Sequence, residues 1–234
     1  MSISARAPAD GPAGAACRAA ALIVFFLAAV LPLSGQSLEG VLSRSRYSLE
    51  ERTVIRGQLL EAERQGIPIE LLLPRLEEGV AKKAPLDRLL AALSRERELL
   101  LLARGLLMEL EGGAKLAEDR ACWARAANLL AGGYDGAEVR ELARASLARP
   151  QDFRPAASLY VSLRGWGLPS SQGLDIVRLL LASPIPGRRF AGIMELFIEG
   201  RRLRLPPDVL SRRLLEQLPE VKTIEELRQK CLQP

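Results

Sequence analysis

From about residue 48 onward, apolar residues recur at every third or fourth position, not every second. That spacing gathers them on one stripe of a helix. Ile55, Leu59 and Ala62 make such a stripe over a segment that Ser48 opens and Gly66 closes. Ser48 and Glu51 have capping-box spacing: the hydroxyl accepts from the Glu51 amide and the carboxylate reaches back to the Ser48 amide. Gly66 supplies a left-handed helix end, and Pro68 prevents continuation. The longest stripe is Leu89, Leu93, Leu100, Ala103, Leu107 and Leu110. It predicts a helix opened by Pro85 and running to about Glu111, with Arg95-Glu96-Arg97-Glu98 on the solvated face.

Between these two lies a helix over about 69–83, kinked or restarted near Leu73 because Pro74 lacks an amide and clashes with the preceding turn. Further helices are predicted at about 115–131, 136–148, 152–164, 170–182, 187–202, 207–218 and 224–231. Glycine and proline separate them, as at Gly132-Gly133, Gly167-Leu168-Pro169 and Pro206-Pro207. Thr223 and Glu226 form a second capping-box pair. With no alternating strand pattern of useful length, the fold class is all-α.

The breaks are regularly spaced. Pro68 to Pro85, Asp135 to Asp152 and Pro169 to Pro186 are each 17 residues, and Asp135 to Pro169 is 34. Helices of equal length behind helix-starting residues stack as antiparallel pairs, each covering its neighbour's apolar face. The expectation is therefore a helical repeat with a half-repeat of about 17 residues, occupying 48–234 behind a short linker over 38–47.

Composition sharpens this picture. Of 234 residues, 48% are hydrophobic, 26% charged and 4% aromatic, which fits a globular helical chain. There is no histidine, so the commonest general base and the commonest metal ligand are both missing.

Ahead of the helical region, Ala19–Leu33 runs fifteen residues without a charge, behind Arg6 and Arg18. That is short for a membrane span and right for the apolar region of a signal peptide. Small residues follow, so residues 1–37 read as a signal peptide cleaved after Gly35 or Ser37; an uncleaved anchor over 19–33 is the alternative. The expected location is the periplasm or beyond the cell. Cleavage removes Arg6, Arg18, Asp10 and Cys17, lowering the net charge of +5 by one. Export would permit a disulfide between Cys122 and Cys231, whereas the apolar setting of Cys122 favours a buried thiol.

Gly66-Ile67-Pro68, Glu78-Gly79-Val80-Ala81-Lys82 and Pro85-Leu86-Asp87-Arg88 make a glycine-apolar-proline turn, an E-G-x-A-K element and a proline-led helix. In these features, and again over 126–146 and 162–182, the chain resembles a group of uncharacterised exported bacterial proteins. The resemblance implies export and a helical fold, and carries no activity.

Candidate chemistry is sparse. Nothing resembles a nucleophile elbow, a phosphate loop or a metal-ligand cluster, so no cofactor is expected and no catalytic residue is assigned. Glu78 and Lys82 could contact a ligand, or form a surface ion pair beside a glycine needed for packing. Residues 186–213 hold Arg188, Arg189, Arg201, Arg202, Arg204, Arg212 and Arg213 against Glu195, Glu199 and Asp208. Together these arginines could meet an anionic lipid, an envelope polymer or an acidic protein. Nucleic acid fits badly with export and with so few aromatics. Trp123, Tyr160, Phe190 and Phe197 read as core, with a binding groove as the lesser alternative, while Trp166, between two glycines, is a candidate contact residue. The leading expectation is a non-enzymatic exported interaction or scaffold protein. The alternatives are an anionic-surface binder and, third, a carboxylate-based hydrolase, which needs two convergent acids.

Overall fold

A computed structural model describes residues 37–233. Residues 1–36, and with them most of the segment read as a signal peptide, lie outside the described residues. Among the described residues there are twelve α-helices, four short 3-10 turns and no strands, so the chain is all-α. None of these helices is long and apolar enough to cross a membrane.

The chain divides into two compact units, at Arg44 and Ser45. Within the first, the described part is helix α1 (Leu38–Ser43), whose N-cap Ser37 accepts from the Gly40 amide at 3.2 Å. Part of the stretch expected to be a linker is therefore helical.

The second unit begins with α2 (Leu49–Arg64), opened by the capping box at Ser48 and Glu51 and burying Ile55, Leu59 and Ala62. A 3-10 turn (Ile69–Leu71) leads into α3 (Leu73–Ala81), with Pro74 in the first turn, where its missing amide is harmless. Helix α4 (Leu86–Met108) ends short of the expected Glu111 and carries the long stripe except Leu110, which lies just past its end; all six residues are buried. The segment expected as one helix over 115–131 is two, α5 (Ala114–Glu118) and α6 (Arg120–Ala131). Asp119 divides them: its carboxylate accepts from the amides of Ala121 and Cys122 and starts a new helix. Then come α7 (Gly136–Ser146), α8 (Phe153–Gly165), α9 (Ser170–Ala182), α10 (Ala191–Arg202), α11 (Pro207–Gln217) and α12 (Ile224–Leu232). At Thr223 the cap is one-sided, because the Glu226 carboxylate accepts from the Lys222 amide instead.

Five helix ends close in one way. Gly66, Lys83, Gly133, Gly167 and Arg204 all have φ between 52° and 90°. In each case the following residue donates back across the turn: Ile67 to Ala62, Ala84 to Gly79, Tyr134 to Leu129, Leu168 to Leu163 and Leu205 to Gly200, at 2.8–3.2 Å. These are Schellman turns, in which a left-handed residue satisfies carbonyls that the helix end would otherwise leave unpaired. Pro68, Pro85, Asp135, Pro169 or Pro206 follows at once and aims the chain into the next helix.

Packing builds two layers. Helices α4, α6, α8, α10 and α12 contact one another in succession, and so do α7, α9 and α11. The fully buried side chains include Phe153, Tyr160, Phe190 and Phe197, and Trp123 is 3% exposed. The Trp123 indole donates to the Leu100 carbonyl at 2.6 Å, which satisfies the one polar atom it takes inside. Polar ties join the layers as well. The Glu138 carboxylate caps α7 through the Asp135 amide and also accepts from the Tyr160 and Ser170 hydroxyls. It thereby links α7, α8 and the start of α9.

Candidate binding pocket at Trp166

Trp166 is the C-cap of α8, and Gly167, at φ 90°, turns the chain immediately after it. The indole is half-buried there and stands against Phe197, with ring centroids 6.0 Å apart and planes 57° apart. This tilted arrangement suits two ring quadrupoles. One turn beyond Phe197 on α10, the guanidinium of Arg201 lies 6.0 Å from the centre of the Trp166 ring, within cation–π range. Across from α10, the turn at Arg204 and the start of α11 complete a cavity of about 200 Å³, lined by Trp166, Phe197, Arg201, Leu205, Pro207 and Leu210. Nearby, Gly200 lets α10 and α11 pack closely: a Cβ there would stand 2.8 Å from Leu210 Cδ2.

The pocket has apolar walls and a cationic rim. Arg202 and Arg204 are exposed beside Arg201, and Leu203 between them is 55% exposed. Of the acids near in sequence, Glu195 and Glu199 both pair with Arg228, at 3.6 and 2.9 Å, while Asp208 is exposed in the first turn of α11. Among the described residues, Arg201, Arg202 and Arg204 have no ion-pair partner. Helix α11 opens at Pro207 on the same rim with no side-chain cap, and Asp208 in its first turn offsets the positive end of its dipole.

The other arginines of the group are elsewhere. Arg188 and Arg189 belong to the 3-10 turn before α10, at the opposite end of that 12-residue helix from Arg201. Such a helix is roughly 18 Å long, so the seven arginines do not form one patch. Arg212 is exposed on α11. Arg213 is structural: it donates to the carbonyls of Cys231 at 2.9 Å and Gln233 at 2.8 Å, holding down α12.

Glu78 and Lys82 pair at 2.6 Å on α3, and Arg75 bridges Glu78 at 2.5 Å and Glu96 of α4 at 3.2 Å. The hydrogen bond from Lys82 is the main cause holding the Glu78 carboxyl below its ordinary pKa; burial opposes it and Arg75 assists. Gly79 packs on Leu89, whose Cδ1 would be 2.5 Å from an added Cβ. The element joins α3 to α4, and its charges already have partners.

A shallower recess of about 390 Å³ between α7 and α9 has its charges internally satisfied, because Glu141 pairs with both Arg144 and Arg178. Cys122 and Cys231 are free and buried, and burial pushes their thiols up to about 12 and about 11. Burial thus favours the neutral thiol over the nucleophilic thiolate at both. Among the described residues, no three potential metal-ligating side chains come together.

The sequence singles out Trp166 and the arginines, gives Phe197 as core by default with a binding groove as the lesser reading, and does not single out Leu205, Pro207 and Leu210. The available signal was the likeness of Arg204-Leu205-Pro206 to Gly167-Leu168-Pro169. Comparison with protein-family models, with curated proteins and with solved structures gives no match.

Proposed function

We propose that the chain is an exported helical-repeat protein that works by holding a partner, not by catalysis. The spacing of the Schellman turns supports the repeat: Gly133 to Gly167 is 34 residues and Gly167 to Arg204 is 37. Stacked helix pairs expose surfaces longer than any single helix, which suits them to binding other chains. The observation that carries the reading is the pocket at Trp166, where aromatic and aliphatic walls meet arginines that no carboxylate of the described residues engages. An apolar pocket with a few charged groups at its edge is the usual form of a recognition site. Export rests on the Ala19–Leu33 segment with the small residues behind it, and on the resemblance to exported bacterial proteins.

A second reading, binding to an anionic membrane or envelope polymer, draws on exposed Arg188, Arg189, Arg201, Arg202, Arg204 and Arg212. Their distribution over both ends of α10 favours the local pocket over a flat adhesive face. Cell fractionation with N-terminal sequencing and in-cell crosslinking tests the proposal. It expects a chain beginning after Gly35 or Ser37, in the envelope fraction and crosslinked to another protein. An unprocessed cytoplasmic chain that crosslinks to nothing contradicts it.

A further inference from the structure

The chemistry of the Trp166 pocket is specific enough to say what kind of partner enters it. We infer that the pocket takes an acidic peptide segment of a partner protein, inserting one bulky apolar side chain against Trp166 and Phe197 while flanking carboxylates pair with Arg201, Arg202 and Arg204. The inference rests on the interaction reading above and names the partner's chemistry.

Three observations converge on this. The first is size and lining: a cavity of about 200 Å³ walled by Trp166, Phe197, Leu205, Pro207 and Leu210 has room for a single apolar side chain. Polysaccharides and lipid headgroups offer no such group. The second is charge. Arg201 lines the pocket, Arg202 and Arg204 are exposed close to it along the chain, and none of the three has an ion pair among the described residues, while Glu195 and Glu199 turn to Arg228. The one acid on the rim's own sequence, Asp208, lies in the first turn of α11. The helix end there thus has its own carboxylate, and a carboxylate brought by a partner is met by the guanidinium groups. The third is the anchor itself. Trp166 is held by Gly167, Phe197 and Arg201 in one orientation while remaining half-exposed, which is how an aromatic contact residue is presented at low entropic loss.

The protein carries its own reporter for this site. It has two tryptophans, and Trp123 is 3% exposed with its indole hydrogen-bonded, so an aqueous quencher such as acrylamide reads Trp166. The experiment titrates the full chain with an end-blocked Asp-Glu-Phe-Glu-Asp peptide, with the same peptide carrying Ala for Phe, and with phosphatidylglycerol vesicles. Saturable protection by the Phe peptide is expected, with the Ala peptide weaker by about tenfold or more. Arg201→Glu, at an exposed position, should keep its helical circular dichroism and weaken the Phe peptide about tenfold. No protection by either peptide, equal binding of the two, or protection by vesicles alone overturns the inference. Crosslinking of the Arg201→Glu chain in cells separates the two levels. A partner retained by the variant places contact elsewhere and overturns the pocket assignment while the interaction reading stands; no partner even for the unaltered chain removes that reading itself.

Discussion

Lys83 and Arg204 adopt a left-handed conformation, φ 52° and 60°, that glycine holds at the three equivalent turns. A side chain in this region costs roughly 1–2 kcal/mol, partly offset by the extra freedom glycine has when unfolded. Lys83→Gly should therefore stabilise the protein by about 0.5 kcal/mol, and Gly167→Ala should destabilise it by about 1 kcal/mol. Nothing lies within 4 Å of a Cβ built at Gly167, so the change there is conformational and not steric. Denaturant midpoints of the two variants, moving in opposite directions, check this.

Glu138 gives a second residue-scale prediction. Burial acts on it most strongly and upward, but hydrogen bonds from Ser170, Tyr160 and the Asp135 amide, with the Arg164 charge, together hold its pKa below the ordinary glutamate value of 4.5. The unfolded chain then takes up the proton first on acidification. Stability from this shift is fully present above pH 4.5 and is lost as pH falls through the lower folded value. Glu138→Gln should lower the melting temperature at pH 7 and flatten the fall of melting temperature below pH 4.5. An unchanged acid limb contradicts the assignment.

Among the elements, the helices were legible and the joints less so. The buried stripes of α2 and α4 could be read directly, because a 3.6-residue period leaves one face apolar whatever that face packs against. The division at Asp119 could not: Lys115 to Ala131 is continuously compatible with helix, and only the inward turn of one carboxylate onto two amides breaks it. The 3-10 joints were equally hidden, since tertiary ties hold them. Arg149 donates to the carbonyls of Ser183 and Ile185, both at 2.8 Å, and pairs with Asp152, bracing the α9–α10 connection against the start of α8. Gly187 lies against this brace: an added Cβ would be 2.3 Å from Asp152 Oδ1 and 2.8 Å from Pro155. Gly187→Ala should cost about 2 kcal/mol by displacing Asp152, read as a lower unfolding midpoint. The pocket was half-legible in the same sense. Trp166 between glycines draws notice by itself, but Leu205, Pro207 and Leu210 join it only through the packing of α11 beside α10.

For the molecule as a whole, the chain has no histidine, two buried free thiols among the described residues, and an apolar pocket with Arg201 at its edge. Because Cys122 and Cys231 sit in the core as free thiols, native alkylation should leave both unmodified and denaturation should expose both; mass mapping of the modified peptides checks this. Two charge distributions make different demands on salt. Attraction of scattered arginines to a polymer or lipid is screened within about 8–10 Å at physiological salt, whereas burial of an apolar side chain against Trp166 and Phe197 is not. The deciding measurement is a crosslinked pull-down from cell-envelope extract with the full chain as bait, at low and at high salt. One protein recovered at both salts is the predicted result. Recovery only of lipid or anionic polymer, lost at high salt, contradicts the specific-partner account.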